Sequence, residues 1–108
     1  MNSPEPRTKA PSSAKRGEII EIKTLLMHPM ETGLRRDGNS NLIPRKIINR
    51  FVCKYNGTSV FSIDLYPAVA ANPYMEFHAV ARETGTLEFI WHEDGGKIYT
   101  SSRNITVS

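Results

Sequence analysis

The chain of 108 residues has one cysteine, one tryptophan and no long apolar run. A solitary Cys53 cannot close an intrachain disulfide, which fits a reducing compartment without excluding an oxidising one, because a core of this size stands without bridges. With no run near the length of a membrane span, and an N-terminus lacking the apolar centre of a signal peptide, the residues alone read as soluble and cytosolic. No segment shows a helical period, no Gly-rich phosphate loop occurs, and no Ser, His and Asp follow one another in a recognisable catalytic context. His28, His78 and His92 stand on three separate segments without the close pair spacing of a zinc site. Aromatic residues make up 8% of the chain and are not interleaved with the basic ones, so a nucleic-acid stacking platform is not expected. No catalytic, cofactor or metal site is therefore expected.

What is present is charge, unevenly spread. The net charge is +3, with fourteen Lys and Arg against eleven Asp and Glu, and the basic excess lies in the first half of the chain. Four of the cations, Arg35, Arg36, Arg45 and Lys46, fall in the stretch from His28 to Lys46. That stretch is about three times longer than an ordinary connection in a compact domain. Pro29 and Pro44 stiffen its ends, and it has no hydrophobic period of its own, which predicts an ordered binding loop. Its cations could also ease the approach of anions.

The first sixteen residues hold three of the seven prolines with Ser, Lys and Arg. That composition predicts a flexible leader over 1–16, with an edge strand around Lys9 to Ser12 as an option, ahead of a single domain over 17–108. From Gly17 onward the pattern is β: Glu18 to Met27, Ile47 to Tyr55, Thr58 to Leu65, Tyr74 to Arg82, Thr86 to His92 and Lys97 to Val107. Asn56-Gly57 between two of these segments predicts a two-residue hairpin turn, and Glu83-Thr-Gly85 and Asp94-Gly-Gly96 punctuate the later ones. Short strands at this spacing predict an all-β fold, an immunoglobulin-like antiparallel β-sandwich of about seven strands. The Cys-Trp-Cys hallmark of antibody domains is absent.

Alternation nominates inward faces: Phe61, Ile63 and Leu65; Met75, Phe77, Ala79 and Ala81; Leu87, Phe89 and Trp91. The segments containing Ile19 to Leu26 and Ile47 to Tyr55 are apolar on both faces, which predicts a partner covering one sheet. Cys53, mid-strand, reads as a small buried hydrophobe. Glu93 and Asp94, before two glycines, read as solvated turn residues. Asn56-Gly-Thr58 and Asn104-Ile-Thr106 match the glycosylation pattern only weakly.

Particular strings say more than composition. Gly17-Glu-Ile-Ile-Glu-Ile-Lys-Thr-Leu-Leu-Met-His-Pro-Met-Glu-Thr-Gly33, Leu42-Ile-Pro-Arg-Lys-Ile-Ile-Asn-Arg-Phe51, Ala71-Asn-Pro-Tyr74, Gly85-Thr-Leu-Glu-Phe-Ile-Trp91 and Asp94-Gly-Gly-Lys-Ile-Tyr99 together resemble the SoxZ family, in the same order, over Ala10 to Val107. The resemblance implies a non-catalytic subunit of the SoxYZ sulfur-carrier complex of bacterial thiosulfate oxidation. Its expected partner is a SoxY-like chain whose C-terminal cysteine, on a Gly-rich arm, carries covalent sulfur intermediates, with transient contacts to the other enzymes of the pathway. No cofactor, nucleic acid or membrane is implied. The resemblance also places the chain in the periplasm, exported with a partner that bears the signal, against the cytosolic reading above. This chain ends in Arg103-Asn-Ile-Thr-Val-Ser108, without cysteine or Gly-rich arm, so it matches the scaffold rather than the carrier. The partner-binding candidates are His28, Pro29, Met30, Glu31, Arg35, Arg36, Arg45, Lys46, Ile48, Arg50 and Val52. The rival reading is an immunoglobulin-like recognition or adhesion module without sulfur chemistry.

Overall fold

The computed structural model describes residues 5–27, 33–34, 36–65 and 74–108. Eight strands form in chain order: β1 (Glu5–Lys9), β2 (Ser13–Ala14), β3 (Ile19–Met27), β4 (Ile48–Tyr55), β5 (Thr58–Asp64), β6 (Tyr74–Val80), β7 (Gly85–Glu93) and β8 (Ile98–Val107). They make a three-stranded sheet, β1-β3-β6, and a five-stranded sheet, β2-β8-β7-β4-β5. The expected all-β sandwich is what the chain forms, and no helix among the described residues is long and apolar enough to cross a membrane.

The Asn56-Gly57 turn joins β4 to β5 as the sequence predicts. Both residues have positive φ, 49° and 84°, the pair of conformations that a type I′ hairpin requires. Asn56 then reaches across to β7, where its Oδ1 accepts the Thr86 N–H at 2.9 Å. This contact dictates Gly85, because a Cβ there would stand 1.8 Å from Asn56 Oδ1.

Where composition predicts a flexible leader with an edge strand near Lys9 to Ser12, the chain forms two short strands on either side of that segment. β1 pairs antiparallel with β3, Thr8 opposite Thr24, and β2 pairs parallel with β8, Ala14 opposite Val107. Pro6 is tolerated because β1 is an edge strand. The N-terminal segment therefore starts in one sheet and crosses to the other, and the β2 contact is the one parallel pairing among the described strands.

The core lies between the sheets. Phe51 is fully buried at its centre, with ring centroids 5.3 Å from Trp91, 5.9 Å from Phe77 and 6.1 Å from Phe61. Phe61 and Phe77 stack across the two sheets at 4.3 Å and 6°. Leu87, Phe89 and Trp91 on β7, and Met75, Phe77 and Ala81 along and just past β6, face inward as alternation predicts. On β3 the inward set is Ile20, Ile22, Thr24 and Leu26, while Ile19 is exposed. Ile63 departs from expectation: it shares the inward register of Phe51 but remains 39% exposed. Five strands face three, so the edge strand β5 is only partly covered.

Candidate partner-binding face

Strand register brings one end of every long strand to a common pole. Leu25 pairs with Tyr74, Ile48 with Glu93, Arg50 with Asp64 and His92 with Ile98. The long loop that precedes β4 is anchored there by a carboxylate. Asp94, just past β7, accepts Arg45 Nε at 2.8 Å and Nη2 at 2.9 Å, the Ile47 N–H at 3.1 Å and Asn49 Nδ2 at 3.0 Å, while its own N–H donates to Ile47 O. Burial opposes ionisation, but the hydrogen bonds from Arg45, Asn49 and Ile47 outweigh it and hold the Asp94 carboxyl below the ordinary aspartate value. Next to it, Glu93 is buried, accepts the Tyr99 hydroxyl at 2.7 Å and lies 3.7 Å from Lys46 Nζ. Burial, and then the Glu93 carboxylate, push the Tyr99 phenol up to about 12. The reading of Glu93 and Asp94 as solvated turn residues is thus corrected: both tie the loop to the turn after β7.

The tip of the loop is ordered by its own polar groups. Arg36 and Leu42 form an isolated β-bridge, and Asp37 Oδ1 accepts the N–H groups of Asn39 at 2.8 Å and Asn41 at 3.0 Å. Arg36 Nη1 donates to Ser40 O at 2.7 Å. At the loop's start Gly33, with φ 86°, packs so closely on Arg45 that a Cβ would lie 3.2 Å from the Arg45 Cβ. The loop presents Leu34, 84% exposed, and Leu42, 55% exposed, to solvent.

These belong to a larger set. Nine large hydrophobic residues are exposed among those described, and six of them lie at or near these strand ends (Met27, Ile63, Tyr74 and Ile98) or in the loop that leads into β4 (Leu34 and Leu42). The expectation of an apolar sheet face takes a different form here. On the outer side of the three-stranded sheet the middle is charged, with Glu21 3.3 Å from Lys23 and 3.7 Å from His78. Exposed apolar residues lie instead at the strand ends, Ile19 opposite Val80 at one end and Met27 with Tyr74 at the other.

Of the partner-binding candidates, His28, Pro29, Met30, Glu31 and Arg35 lie outside the described residues. Arg36, Arg45, Lys46 and Arg50 are exposed and close to the pole, although Arg45 engages Asp94 and Arg50 engages Asp64 at 2.9 Å. Ile48 is completely buried and Val52 is 9% exposed, so neither offers its side chain to a partner; apolarity on both faces of β4 reflects packing. The residues that reasoning along the chain passed over are Met27, Leu34, Leu42, Tyr74 and Ile98. Leu34 and Leu42 carried a signal, as isolated apolar residues in a polar loop that has no core face to fill.

Cys53 is buried with no exposed surface, and desolvation pushes its thiol up to about 12. It is protonated at neutral pH and inaccessible, as its mid-strand position suggests. Among the described residues no group of three His, Cys, Asp or Glu side chains could hold a metal ion.

Comparison with known proteins gives a family. The family model described as sulphur oxidation protein SoxZ matches residues 8–104. No curated protein matches the chain. Among solved structures, the sulfur carrier protein SoxY from Chlorobium limicola f thiosulfatophilum superposes with a TM-score of 0.67 at 19% identity, covering 95% of this chain and 78% of that one. Superoxide reductase (neelaredoxin) from Ignicoccus hospitalis superposes with a TM-score of 0.68 at 14% identity, covering 95% and 80%. At such identities the likeness is one of fold.

Proposed function

This chain belongs to the sulphur oxidation protein SoxZ family, and on that premise we propose that it is the non-catalytic, partner-binding subunit of a heterodimeric sulfur-carrier complex in thiosulfate oxidation. The partner is a SoxY-like chain whose C-terminal cysteine holds the covalent sulfur intermediates. The observation that carries the reading is the pole, where Met27, Leu34, Leu42, Ile63, Tyr74 and Ile98 expose apolar surface around a loop fixed by Asp94. A rigid apolar surface with a basic rim, Arg36 and Lys46, suits a lasting interface with a second chain and transient contact with the enzymes that act on it. The sealed thiol of Cys53 supports the same division of labour: a sulfur carrier needs a reachable thiolate, and this chain's cysteine is buried and protonated. The complex works in the periplasm, exported through the partner's signal, and binds neither nucleic acid nor membrane.

The test is purification of the tagged chain from its native periplasm with intact-mass analysis of what accompanies it. A stoichiometric second chain with sulfur adducts on a C-terminal cysteine is expected, whereas recovery of this chain alone overturns the proposal. Leu42→Asp, at an exposed position, is expected to weaken the complex at least about tenfold, the effect of 1.4 kcal/mol, with the unfolding temperature unchanged. Unchanged affinity for that variant and for Leu34→Asp removes the pole from the interface. Deleting the partner's signal is expected to leave both chains inside the cell; finding this chain outside without the partner overturns the export route.

A further inference from the structure

The edge of a β-sheet is a row of backbone N–H and C=O groups without a partner strand, and the two sheets have four edge strands, β1, β6, β2 and β5. Three of them are blunted. β1 carries Pro6 between Glu5 and Arg7 and ends in Lys9, β2 is two residues long, and β6 carries exposed Glu76 and His78. β5 is seven residues long, contains no proline, and is exposed at every position but Phe61. Its single charged side chain, Asp64, is met by Arg50 of the adjoining strand at 2.9 Å.

Register shows which backbone groups of β5 point outward. The Leu65 N–H donates to Asn49 O at 2.8 Å, and upstream of it Asp64 lies opposite Arg50, Ile63 opposite Phe51 and Ser62 opposite Val52. Backbone groups alternate between the two sides of an antiparallel strand. Leu65, Ile63 and Phe61 therefore turn theirs toward β4, and Ser62 and Asp64 turn theirs toward the open edge. A bulge leaves Val60 unpaired between Ser59 and Phe61 and ends the regular edge there. The open segment is thus short, Phe61 to Leu65, and offers two donors and two acceptors.

That segment is complementary to itself. Laid antiparallel against a second copy about a two-fold axis at Ile63, it sets Ser62 opposite the other Asp64 on both sides of the axis and closes four backbone hydrogen bonds. Ile63 then stands against its own counterpart in the closer, non-hydrogen-bonded position, with Phe61 opposite Leu65. The neighbouring two-fold registers are poorer. An axis at Asp64 sets two carboxylates directly opposite one another, and an axis at Ser62 brings Asp64 against the bulge at Val60. In the favoured register each Asp64 faces a serine hydroxyl, which can donate to it. The same register accounts for Ile63, which shares the inward side of Phe51 yet is 39% exposed because the smaller sheet does not cover it. A second Ile63 beside it covers that flank.

We infer that β5 is a self-association edge, through which two copies of this chain join their five-stranded sheets into one of ten strands by antiparallel pairing about Ile63. Ile63 is the one member of the exposed apolar set that this contact uses, and the inference does not rest on the partner-binding reading. Four backbone bonds and one apolar pair make a small contact of the transient class.

The experiment is sedimentation equilibrium of the full chain from about 10 μM to about 1 mM, at about 0.15 M salt to screen its net charge, with amide NMR at both ends of the range. A reversible monomer–dimer equilibrium with a Kd on the order of 100 μM is expected, with the Ser62 and Asp64 amides gaining protection as the dimer fills. Ser62→Asp, on the exposed outer face, opposes the other Asp64 twice and is expected to weaken the dimer about tenfold, with little change in unfolding temperature. Ser62→Lys places an opposite charge at the same point and is expected to hold or tighten it. Leu42→Asp, in the loop before β4, is expected to leave it unchanged. A monomer at every concentration, equal weakening by Ser62→Asp and Ser62→Lys, or loss of the dimer in Leu42→Asp overturns the inference. So does protection of the Ser62 and Asp64 amides only in the complex with another protein, which gives the edge to that partner instead.

Discussion

Replacing Asp94 tests whether one carboxylate organises the partner-binding pole. Its side chain is 16% exposed while that of Arg45 is 48% exposed, so the two ends of the ion pair differ in worth. The pair itself, half in solvent, contributes about 0.5–1 kcal/mol. The bonds from the Ile47 N–H and Asn49 Nδ2, both partly buried, contribute about 1 kcal/mol each and are left unmade if the acceptor goes. Asp94→Ala is therefore expected to cost about 2–3 kcal/mol, or about 10–15 °C in unfolding temperature for a domain of this size. Arg45→Ala should cost only about 0.5–1 kcal/mol, because Asp94 keeps its other donors. Urea unfolding gives both numbers, and amide hydrogen exchange gives the local consequence, with the Ile47 N–H losing protection in Asp94→Ala but not in Arg45→Ala. Equal costs for the two variants, or a cost under about 0.5 kcal/mol for Asp94→Ala, would refute the idea that Asp94 is the hub and Arg45 one spoke.

Other outcomes follow from the same structure. Gly85→Ala should cost about 1–2 kcal/mol, because the new Cβ drives out the Asn56 side chain and orphans the Thr86 N–H; in an Asn56→Gly background the same change should be nearly neutral, and a persistent penalty there would place the strain elsewhere. Acid stability tests the direction of the Asp94 shift: a depressed folded-state value means that the carboxylate's contribution is complete above the unfolded value and is lost as pH falls below about 4, so Asp94→Asn should flatten that limb of a urea-midpoint profile. In alkali the sign reverses. The raised Cys53 and Tyr99 values favour the neutral forms in the folded state, so stability present below pH 9 should fall between there and about pH 12, and Cys53→Ala should remove the earlier part of the decline. A thiol reagent at neutral pH should label Cys53 only as fast as the sheet opens; rapid labelling of folded protein would contradict its burial.

Legibility along the chain followed the range of the interactions involved. The Asn56-Gly57 turn and the alternation of β6 and β7 could be read directly, because a two-residue turn is encoded by its own residues and a strand facing one core keeps a period of two. β3 could not be resolved by alternation, since both parities are apolar and the outcome, Thr24 inside and Ile19 outside, is set by pairing with β6. Ile63 was misjudged because its exposure depends on how far the opposite sheet extends. β1 and β2 are held by β3 and β8, so a proline-rich local composition does not announce them. Asp94 looked like part of an ordinary turn because its principal partner, Arg45, is 49 residues earlier in the chain. The exposed residues of the pole were legible only as an excess of apolarity whose location was unknown.

The crossing of the N-terminal segment from one sheet to the other bears on the order of assembly. β1 can dock on β3 as soon as a short stretch of chain exists, but β2 has no neighbour in its sheet except β8, at Thr106 and Val107. The β2 edge of the larger sheet therefore forms only once β8 is available, and until then the β2 segment has no strand to pair with. A β8 cut short before Thr106 would leave β2 without its partner and the larger sheet with a frayed edge open to proteolysis.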